Sequence, residues 1–345
     1  AYTCYSIPAS VARAGLKLQP VDIDPETLDY DFRALEAISS AGLLCVLTSN
    51  LFGLPSDAES VARIAHSRGA FAVDDAAQAM GAVRNGRQAG TAGDAGLFSL
   101  GRGKALAAGG GGLVVTSDRR IADALRAQFT KLPRASMASA PAAFLENLTI
   151  TLLLHPRLYW IPNSFPLLKL GVTEFDPAFP LKSMSGFTHA LLVRVIEGLA
   201  DLNRVRNRNA RQILSSLAQG SGFHSPAPAA GALPIYLRLP LLAANRTLRD
   251  HALARLRSAG IGASPYYPGA VCDIPGIEPF LATPGVHFPR AEGVASRILT
   301  LPTHPLVEPG DLERMLEILV ASSRESSSHP VGAEARGSTA WGGRE

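Results

Sequence analysis

Three neighbouring segments of the chain contain side chains that could take part in chemistry. The first, residues 74–78, begins with two carboxylates and ends with Gln78, directly after a strand-like apolar run. In the second, Ser99 stands five residues before Lys104. The third is a run of four glycines at 109–112. Because ligands bind at the carboxyl ends of strands in open α/β sheets, the first two segments are candidate ligand contacts.

Taken singly, each segment has an ordinary structural explanation. An acidic pair after a strand often caps a helix, and a lysine among glycines is often a solvated loop charge. Three common motifs are excluded by the residues present. A P-loop would need glycine at Phe98 and Ser or Thr at Ala105, a dinucleotide fingerprint would need 109–112 to open a helix, and no G-x-S-x-G elbow occurs.

Taken together, the segments supply the groups that pyridoxal phosphate (PLP) requires. Its aldehyde needs a lysine amine for a Schiff base, which Lys104 offers. Its pyridine nitrogen needs a neighbouring carboxylate that keeps the ring protonated, and a strand-end Asp offers one. Its phosphate needs hydroxyl and backbone donors, and Ser99 lies in a suitable loop. The combination therefore favours a PLP site.

Short apolar strands alternate with helices in the first part of the chain. Strand-like runs occur at 43–47, 70–73, 96–100 and 113–116. Ser56 or Asp57 can cap a helix that ends at Gly69, and 120–129 has the pattern of another helix. This alternation predicts an α/β fold with a mostly parallel central sheet and helices on both faces.

The second half has the pattern of a smaller α+β domain. Between residues 184 and about 217, a helical period places four apolar residues on one stripe: Leu191, Val195, Leu199 and Leu202. A strand near 235–239 and helices near 248–258 and 311–320 follow. We therefore expect a PLP-binding large domain at 1–130, an apolar connector at 131–183, a small domain at 184–321 and a disordered tail at 322–345.

The stretch 131–180 interrupts the pattern. It is rich in Pro, Leu and aromatic residues, and the uncharged run at 147–154 is too short to span a membrane. The favoured interpretation is an insertion that packs on the protein or at a dimer interface. The alternative is a monotopic patch that brings the protein to a lipid-linked substrate, which would be a peripheral membrane contact.

The composition excludes several classes of protein. Hydrophobic residues make up 47% and charged residues 18%, which predicts a globular fold. The net charge of +4 is spread along the chain without a basic block, so no nucleic-acid partner is expected. The three cysteines lack CxxC spacing, so we expect buried thiols, no metal site and a reducing, cytoplasmic location. No signal-peptide pattern opens the chain.

The chain also resembles the DegT/DnrJ/EryC1/StrS family of sugar aminotransferases, which have the fold-type-I PLP architecture. The resemblance covers most of residues 1–320 apart from the insertion. Its most specific part is a D-x-A-Q strand end, Asp75 to Gln78, followed by S-x-x-x-x-K, Ser99 to Lys104. Further matching segments are 1–3, Gly15, 21–24, 50–57, 109–116, 184–190, 288–292 and 299–302.

The resemblance implies a role for each matched residue. Asp75 would pair with the pyridine nitrogen of PLP, Gln78 would lie near the ring hydroxyl, and Ser99 would hold the phosphate. Lys104 would form the internal aldimine and, once released, would carry a proton between the substrate and cofactor carbons. In the family, glutamate donates its amine and a nucleotide-linked keto-sugar accepts it, in the synthesis of surface polysaccharides. Members are usually homodimers with active sites at the subunit interface.

Several departures from the family pattern bear on turnover. The aromatic residue that stacks on the cofactor falls at Cys4, with Tyr2 and Tyr5 beside it. The acidic residue of the family's G-E-G-G turn is Gly110, and its N-x-R-M segment is replaced by residues 181–184. The family's Gly-Thr phosphate-binding turn would lie upstream of the first residue, so a leading helix and strand are expected to be missing.

Two alternative functions follow from these residues. A member that keeps the fold but acts as a non-catalytic regulatory or scaffolding subunit would tolerate the departures. A sugar dehydratase is disfavoured, because that branch of the family has His in place of Lys104. Of the remaining polar residues, Asp74 is expected to be a local hydrogen-bond partner, and Tyr266 and Tyr267 are expected to pack rather than to face the substrate.

Overall fold

The computed structural model describes residues 1–133, 141, 144–145, 148–149, 174–217 and 221–328. In this part of the chain the strands are β1 Cys45–Ser49, β2 Phe71–Asp75, β3 Val83–Arg84, β4 Arg87–Gln88, β5 Ala95–Ser99, β6 Gly112–Val115, β7 Phe223–His224, β8 Ala232–Leu233, β9 Arg238–Ala243 and β10 Ile298–Pro302. The helices are α1 Ser6–Arg13, α2 Phe32–Ala37, α3 Ala58–Ser67, α4 Arg119–Phe129, α5 Gly186–Val195, α6 Leu199–Ser216, α7 Arg246–Ser258, α8 Pro289–Arg297 and α9 Pro309–Ser328. Short 3-10 turns lie at Leu51–Gly53, Ile196–Gly198, Val271–Asp273 and Glu278–Phe280.

The central sheet has the strand order β1-β2-β5-β6. Its first three strands are parallel, and β6 runs antiparallel to β5. The carboxyl ends of β1, β2 and β5 therefore meet at one edge. The prediction of a mostly parallel central sheet is confirmed, with β6 as the antiparallel member.

Helices pack on the face of this sheet that carries Val46 and Ala72. Residues of α2 and α3 pack against these two side chains. Farther along the sheet, α5 and α6 pack against Phe98 and Leu113. The stripe predicted from the helical period, Leu191, Val195, Leu199 and Leu202, belongs to this contact, so its packing is confirmed. Within the described residues, Leu47, Val73 and Leu97 on the opposite face stay partly exposed.

Helix α3 begins and ends where its sequence predicts. The side chain of Asp57 caps its first turn by accepting the backbone N–H of Ser60 at 3.1 Å. Val61 and Ala65 are fully buried one turn apart, against the sheet. Gly69 follows the last turn with φ of +68°, a conformation that favours glycine.

Several predicted boundaries are wrong by a few residues, because pairing with neighbouring strands decides them. Strand β2 continues to Asp75 rather than ending at residue 73, since Asp74 and Asp75 pair with Thr48 and Ser49 of β1. The strand predicted near 235–239 is β9, which pairs with β10 as far as Leu242. The single helix predicted over 184–217 is two helices, α5 and α6, joined by the turn Ile196–Gly198.

A smaller antiparallel sheet, β10-β9-β7, organises the second half of the chain. Strands β9 and β10 are almost wholly buried, and α7, α8 and α9 pack around them. The same core includes Tyr2 and Phe52 from the first half. The two halves therefore share a hydrophobic core, and the division into domains at residue 130 stays a prediction.

The predicted insertion and tail fall largely outside the described residues. The uncharged run at 147–154 is described only at residues 148 and 149. Helix α9 continues to Ser328, so the prediction of a disordered tail from residue 322 is wrong for its first seven residues. Glu325 there forms an ion pair with Arg255 at 2.7 Å and lies 3.4 Å from the His251 ring nitrogen, both on α7. None of the described helices is both long and apolar enough to cross a membrane.

Candidate active site

Asp75 and Ser99 lie at the same edge and on the same face of the central sheet. Asp75 ends β2, Ser99 ends β5, and the two strands are parallel. Asp75 pairs with Leu97, and Ser99 is two residues farther along β5. Because side chains alternate between the faces of a sheet, both side chains project from the face opposite to that of Ala72.

Asp74 has a structural role. One of its carboxylate oxygens accepts hydrogen bonds from Thr48 Oγ1 at 3.1 Å and Asn50 Nδ2 at 2.8 Å. The other accepts the backbone N–H of Gly90 at 2.8 Å and of Ala92 at 3.3 Å. Asp74 is 1% exposed. The expectation of a local hydrogen-bond partner is therefore confirmed.

Asp75 keeps one carboxylate oxygen open. Its Oδ1 accepts the backbone N–H of Ala77 at 2.8 Å, and its Oδ2 has no hydrogen bond within the described part of the chain. Burial raises the pKa of Asp75, while the Ala77 N–H and the charge of Lys104 act in the opposite direction. Lys104 therefore lies within electrostatic reach of Asp75. A positively charged hydrogen-bond donor at the open oxygen would stabilise the charged form of this carboxylate.

Lys104 lies in the loop from β5 to β6, which folds back on Leu100. The carbonyl of Leu100 accepts the N–H of Ala108 at 3.0 Å and that of Gly110 at 3.2 Å. The N–H of Lys104 itself donates to the carbonyl of Gly101 at 3.3 Å. Leu100 and Ala108 are fully buried, whereas Lys104 is partly exposed. The loop thus anchors the backbone of the lysine and leaves its side chain accessible.

Ser99 is followed by a glycine-rich turn, Gly101 to Gly103. Its Oγ accepts the N–H of Gly101 at 3.3 Å, and the hydroxyl hydrogen remains available to an acceptor. An added Cβ at Gly103 would meet nothing within 4 Å, and this residue has φ of +71°. A hydroxyl next to open, glycine-flanked backbone suits an oxygen-rich anion such as a phosphate.

Gln78 is buried and held by residues from two distant segments. Its Oε1 accepts the backbone N–H of Phe52 at 3.0 Å and lies 3.5 Å from the hydroxyl of Tyr266. Its Nε2 donates to the hydroxyl of Tyr267 at 2.7 Å. The expectation that Tyr266 and Tyr267 pack is confirmed, since both belong to the main core, and their hydroxyls in addition face the amide of a predicted site residue.

Two residues that sequence reasoning missed connect the segments of the site. Asn203 Nδ2 donates to the carbonyl of Met80 at 3.0 Å, just after the Gln78 segment. Arg206 donates to Asn203 Oδ1 at 2.8 Å and to the carbonyl of Ala105 at 3.0 Å, directly after Lys104. Asn203 and Arg206 are 7% and 6% exposed. A signal existed in the sequence, because both polar residues share a face of α6 with its apolar stripe.

The departures from the family pattern have distinct surroundings. Cys4 is partly buried against the main core, and its thiol lies 3.4 Å from the hydroxyl of Ser6. Gly110 has φ of +127°, which L side chains rarely adopt. An added Cβ at Gly111 would lie 2.5 Å from the Met184 side chain, so the end of the 181–184 segment packs on the glycine turn.

The described residues fit PLP by the chemistry of their donors and acceptors. Asp75 offers an open, partly buried carboxylate oxygen to a pyridinium N–H. Gln78 offers an amide, Ser99 a hydroxyl, and Lys104 an amine within electrostatic reach of Asp75. These are the four kinds of group that the cofactor's ring nitrogen, ring oxygen, phosphate and aldehyde require.

The cysteines are less buried than expected. Cys4, Cys45 and Cys272 are all partly exposed free thiols. Within the described residues, the thiol of Cys272 and the carboxylates of Asp273 and Glu292 lie within 4.8 Å of one another. Both carboxylates already accept backbone N–H groups, at 3.0 Å and 3.1 Å respectively, which explains their placement without an ion.

Comparison with known sequences identifies a family. Residues 1–320 match the DegT/DnrJ/EryC1/StrS aminotransferase family. One relative is the "Pleiotropic regulatory protein" of Geobacillus stearothermophilus, 38% identical over 127 residues, which are 36% of this chain and 34% of that protein. Another is the UDP-N-acetyl-3-dehydro-alpha-D-glucosamine 3-aminotransferase of Acidithiobacillus ferrooxidans, 26% identical over 302 residues, or 87% of this chain and 70% of that protein. The alignment thus spans about a third of the first relative.

Solved structures share the fold. The E. coli GDP-4-keto-6-deoxy-D-mannose-3-dehydratase with bound hydrated PLP superposes with a TM-score of 0.65 and 21% identity, over 90% of this chain and 75% of that one. At this level of identity the likeness concerns the fold alone. The fold-type-I architecture expected from the sequence is confirmed.

Proposed function

Because this chain belongs to the DegT/DnrJ/EryC1/StrS aminotransferase family, we propose that it is a PLP-dependent aminotransferase acting on a nucleotide-linked keto-sugar. The observation that carries the proposal is the pair Asp75 and Lys104 at the carboxyl edge of the sheet. Asp75 keeps an oxygen open there, and the charge of Lys104 acts on it. Ser99 and Gln78 complete the set of groups that PLP requires.

When bound, PLP would supply an aldehyde that carries the amino group from the donor to a keto carbon, and a ring that accepts electrons during the transfer. Asp75 would hold the ring nitrogen with its open oxygen and keep that nitrogen protonated. Gln78 would hold the ring oxygen through an amide N–H, and Ser99 would bind the phosphate. These three residues come from the ends of β2 and β5 and from the turn after β2, so the strands themselves orient the ring.

Lys104 would first hold the cofactor and then move a proton. Its amine is the nucleophile that the aldehyde of PLP needs. Once the amino donor replaces it, the free amine would act as general base and acid at the substrate carbon. The loop contacts with Gly101 and Leu100 restrain the backbone on either side of the lysine, while its side chain remains partly exposed.

Glutamate is the proposed amino donor, and a nucleotide-linked keto-sugar is the proposed acceptor. The name of the Acidithiobacillus ferrooxidans relative, a 3-aminotransferase of a UDP-linked dehydro-glucosamine, supports an acceptor of this class. We further propose a role in surface polysaccharide or glycoconjugate synthesis, a cytoplasmic location and a homodimer with the active site at its interface. Light scattering of the purified protein tests the dimer.

The first test is reduction of the PLP-incubated protein with borohydride, followed by peptide mass spectrometry. We expect one pyridoxyl adduct, on Lys104. The chain has four other lysines, Lys17, Lys131, Lys169 and Lys182, which serve as internal controls for nonspecific modification. A folded protein without an adduct on Lys104, or with adducts spread over the other lysines, would contradict the proposal.

Lys104→Arg is the matched control, because it keeps the positive charge beside Asp75 and removes the primary amine. We expect this variant to fold, to lose the adduct and to lose glutamate-dependent formation of the amine form of the cofactor. An unchanged rate of that half-reaction would show that another group supplies the amine.

A non-catalytic regulatory subunit is the second candidate function. Its support is the 38% identity to the protein named "Pleiotropic regulatory protein", together with the replaced residues at Gly110 and 181–184. The half-reaction with glutamate separates the two functions. A regulatory subunit would retain PLP on Lys104 and leave glutamate unconverted.

A further inference from the structure

The amide of Gln78 is oriented by contacts on both of its ends. Its Oε1 accepts the backbone N–H of Phe52, which can only donate, at 3.0 Å. The other end must then be Nε2, which lies 2.7 Å from the hydroxyl of Tyr267. Gln78 is 5% exposed, so neither end can exchange these partners for solvent. The contacts therefore assign the amide orientation without ambiguity.

This orientation determines what Gln78 can offer to a ligand. Its oxygen faces Phe52 and, at 3.5 Å, the hydroxyl of Tyr266. One of the two Nε2 hydrogens is given to Tyr267, and the second has no acceptor within the described residues. The Gln78 side chain can thus offer one N–H donor to a ligand. A donor of this kind suits an oxygen that carries negative charge, such as the ring oxygen of PLP.

Burial and contacts with other aromatic rings fix the position of the Tyr267 hydroxyl. It is 3% exposed, and its ring packs against three other tyrosines, with centroids 5.5 Å from Tyr2, 6.3 Å from Tyr5 and 4.7 Å from Tyr266. Burial raises the pKa of Tyr267 well above its usual value, and the neighbouring Cys4 adds to this effect. The residue therefore stays a neutral phenol that can accept from Gln78 at any physiological pH.

Two residues that lie next to the Gln78 amide in space have strained backbone conformations. Phe52 has φ of +57° and Tyr266 has φ of +66°, although neither is glycine. Their rings meet edge to face with centroids 4.9 Å apart. Non-glycine residues in the left-handed region occur mainly where the surrounding structure requires them, and such positions concentrate at functional sites. Here the two strained residues bracket one amide.

We propose that Tyr267 is a positioning residue that orients the Gln78 amide, so that Gln78 presents an N–H and not a carbonyl to the ring oxygen of PLP. Tyr267 lies between α7 and α8 in the second half of the chain, whereas Gln78 follows β2 in the first half. The contact therefore couples the small α+β region to the cofactor site. This inference rests on the proposed PLP site and adds to it a residue that need not touch the cofactor.

The test compares Tyr267→Phe with Tyr266→Phe. The two variants are matched, because they alter adjacent buried tyrosines and each removes a single hydroxyl. Only Tyr267 accepts the short hydrogen bond from Gln78, since the Tyr266 hydroxyl is 3.5 Å from the amide. The protein is loaded with PLP, and two properties are measured: the dissociation constant of PLP and the pH midpoint of its visible absorption band.

For Tyr267→Phe we expect PLP binding to weaken about five- to tenfold, the usual effect of one buried hydrogen bond. We also expect the midpoint of the absorption band to move to higher pH. When the Gln78 N–H is no longer held in position, the ring oxygen keeps its negative charge less well and retains a shared proton to higher pH. For Tyr266→Phe we expect a change in binding below about twofold and an unchanged midpoint.

A purely structural role would lower the melting temperature of the apoprotein in both variants and leave the absorption midpoint unmoved. An unchanged midpoint and PLP affinity in Tyr267→Phe, with wild-type protein that binds PLP on Lys104, would overturn the positioning role. Failure of the wild-type protein to form that adduct is a different result, because it would remove the proposed function itself.

Discussion

Asp74 and Asp75 are consecutive residues of β2, yet their carboxylates lie on opposite faces of the sheet and have different partners. The Asp74 carboxylate accepts four hydrogen bonds from the protein and is 1% exposed. The Asp75 carboxylate accepts one, from Ala77, and stays partly exposed. The alternation of side chains along a strand thus separates a structural carboxylate from one available to a ligand.

Asp74→Asn should therefore affect mainly the stability of the fold, and Asp75→Asn mainly the binding of PLP. An amide at Asp74 places an N–H group near donors that the carboxylate satisfied, so we expect a loss of about 3 kcal/mol in the free energy of unfolding. An amide at Asp75 should cost less than about 1 kcal/mol and weaken PLP binding at least about tenfold, because it lacks the negative charge that keeps the ring nitrogen protonated. Urea unfolding and PLP titration measure the two effects. Equal destabilisation by the two variants would contradict the assignment.

The stability of the apoprotein should also depend on pH through Asp75. Its pKa is raised by burial above the ordinary value of 3.8, so the folded state binds this proton more tightly than the unfolded state. The contribution to stability is fully present below pH 3.8 and is lost as the pH rises through the folded pKa. Asp75→Asn cannot lose it.

The melting temperature of Asp75→Asn minus that of the wild type should therefore increase as the pH is raised from about 3.5 to about 7. Other titrating groups affect both proteins equally and cancel in this difference. A difference that stays constant or falls over this range would show that burial does not raise the pKa of Asp75 in the apoprotein.

Local sequence patterns were sufficient to locate the edge of the sheet and the residues on it. The strand-end carboxylates, Ser99 and Lys104 follow short apolar runs, and all of these runs became strands. The boundaries moved by about two residues because the hydrogen-bond ladder, which depends on neighbouring strands, extends β2 to Asp75. Helix α9 exceeded its prediction, and its added turns contact the rest of the chain, since Ser322 is fully buried and Glu325 pairs with Arg255 on α7.

The contacts that orient the site could not be predicted in the same way. Gln78 and Tyr267 are 189 residues apart, and Arg206 and Ala105 are 101 apart. No local period relates such positions, and a buried tyrosine has the same sequence signature whether its hydroxyl is used or not. The polar residues within the apolar face of α6 were the one signal of a long-range polar contact that could have been detected.

Gly110 tests whether a departure from the family pattern is a structural requirement here. An added Cβ would meet nothing within 4 Å at either Gly110 or Gly293, but only Gly110 has a positive φ, of +127°. Gly110→Ala should therefore lower the free energy of unfolding by about 1–3 kcal/mol through backbone strain. Gly293→Ala, within helix α8, should raise it by about 1 kcal/mol. Thermal unfolding of both variants tests this, and a stabilised Gly110→Ala would contradict the strain.

Arg206 offers the last test, because it connects the two segments that carry the site. It donates to the carbonyl of Ala105, beside Lys104, and to Asn203, which in turn donates to the carbonyl of Met80. Arg206→Met leaves two buried acceptors without donors but also removes a buried charge, whose cost is evident in the lowered pKa of Arg206 caused by burial. We expect a net loss of about 2 kcal/mol in the free energy of unfolding.

The specific consequence should be in the Lys104 loop. Amide hydrogen exchange at residues 101–108 should accelerate in Arg206→Met more than exchange in β9 and β10, because only this loop loses an anchor. Arg204→Met is the matched control on the same helix, since the Arg204 side chain is 76% exposed and, among the described residues, pairs with Asp201 alone. Its stability should change by less than about 0.5 kcal/mol. If exchange in the loop were the same in both variants, Arg206 would stabilise the core of α6 without holding the segment of the catalytic lysine.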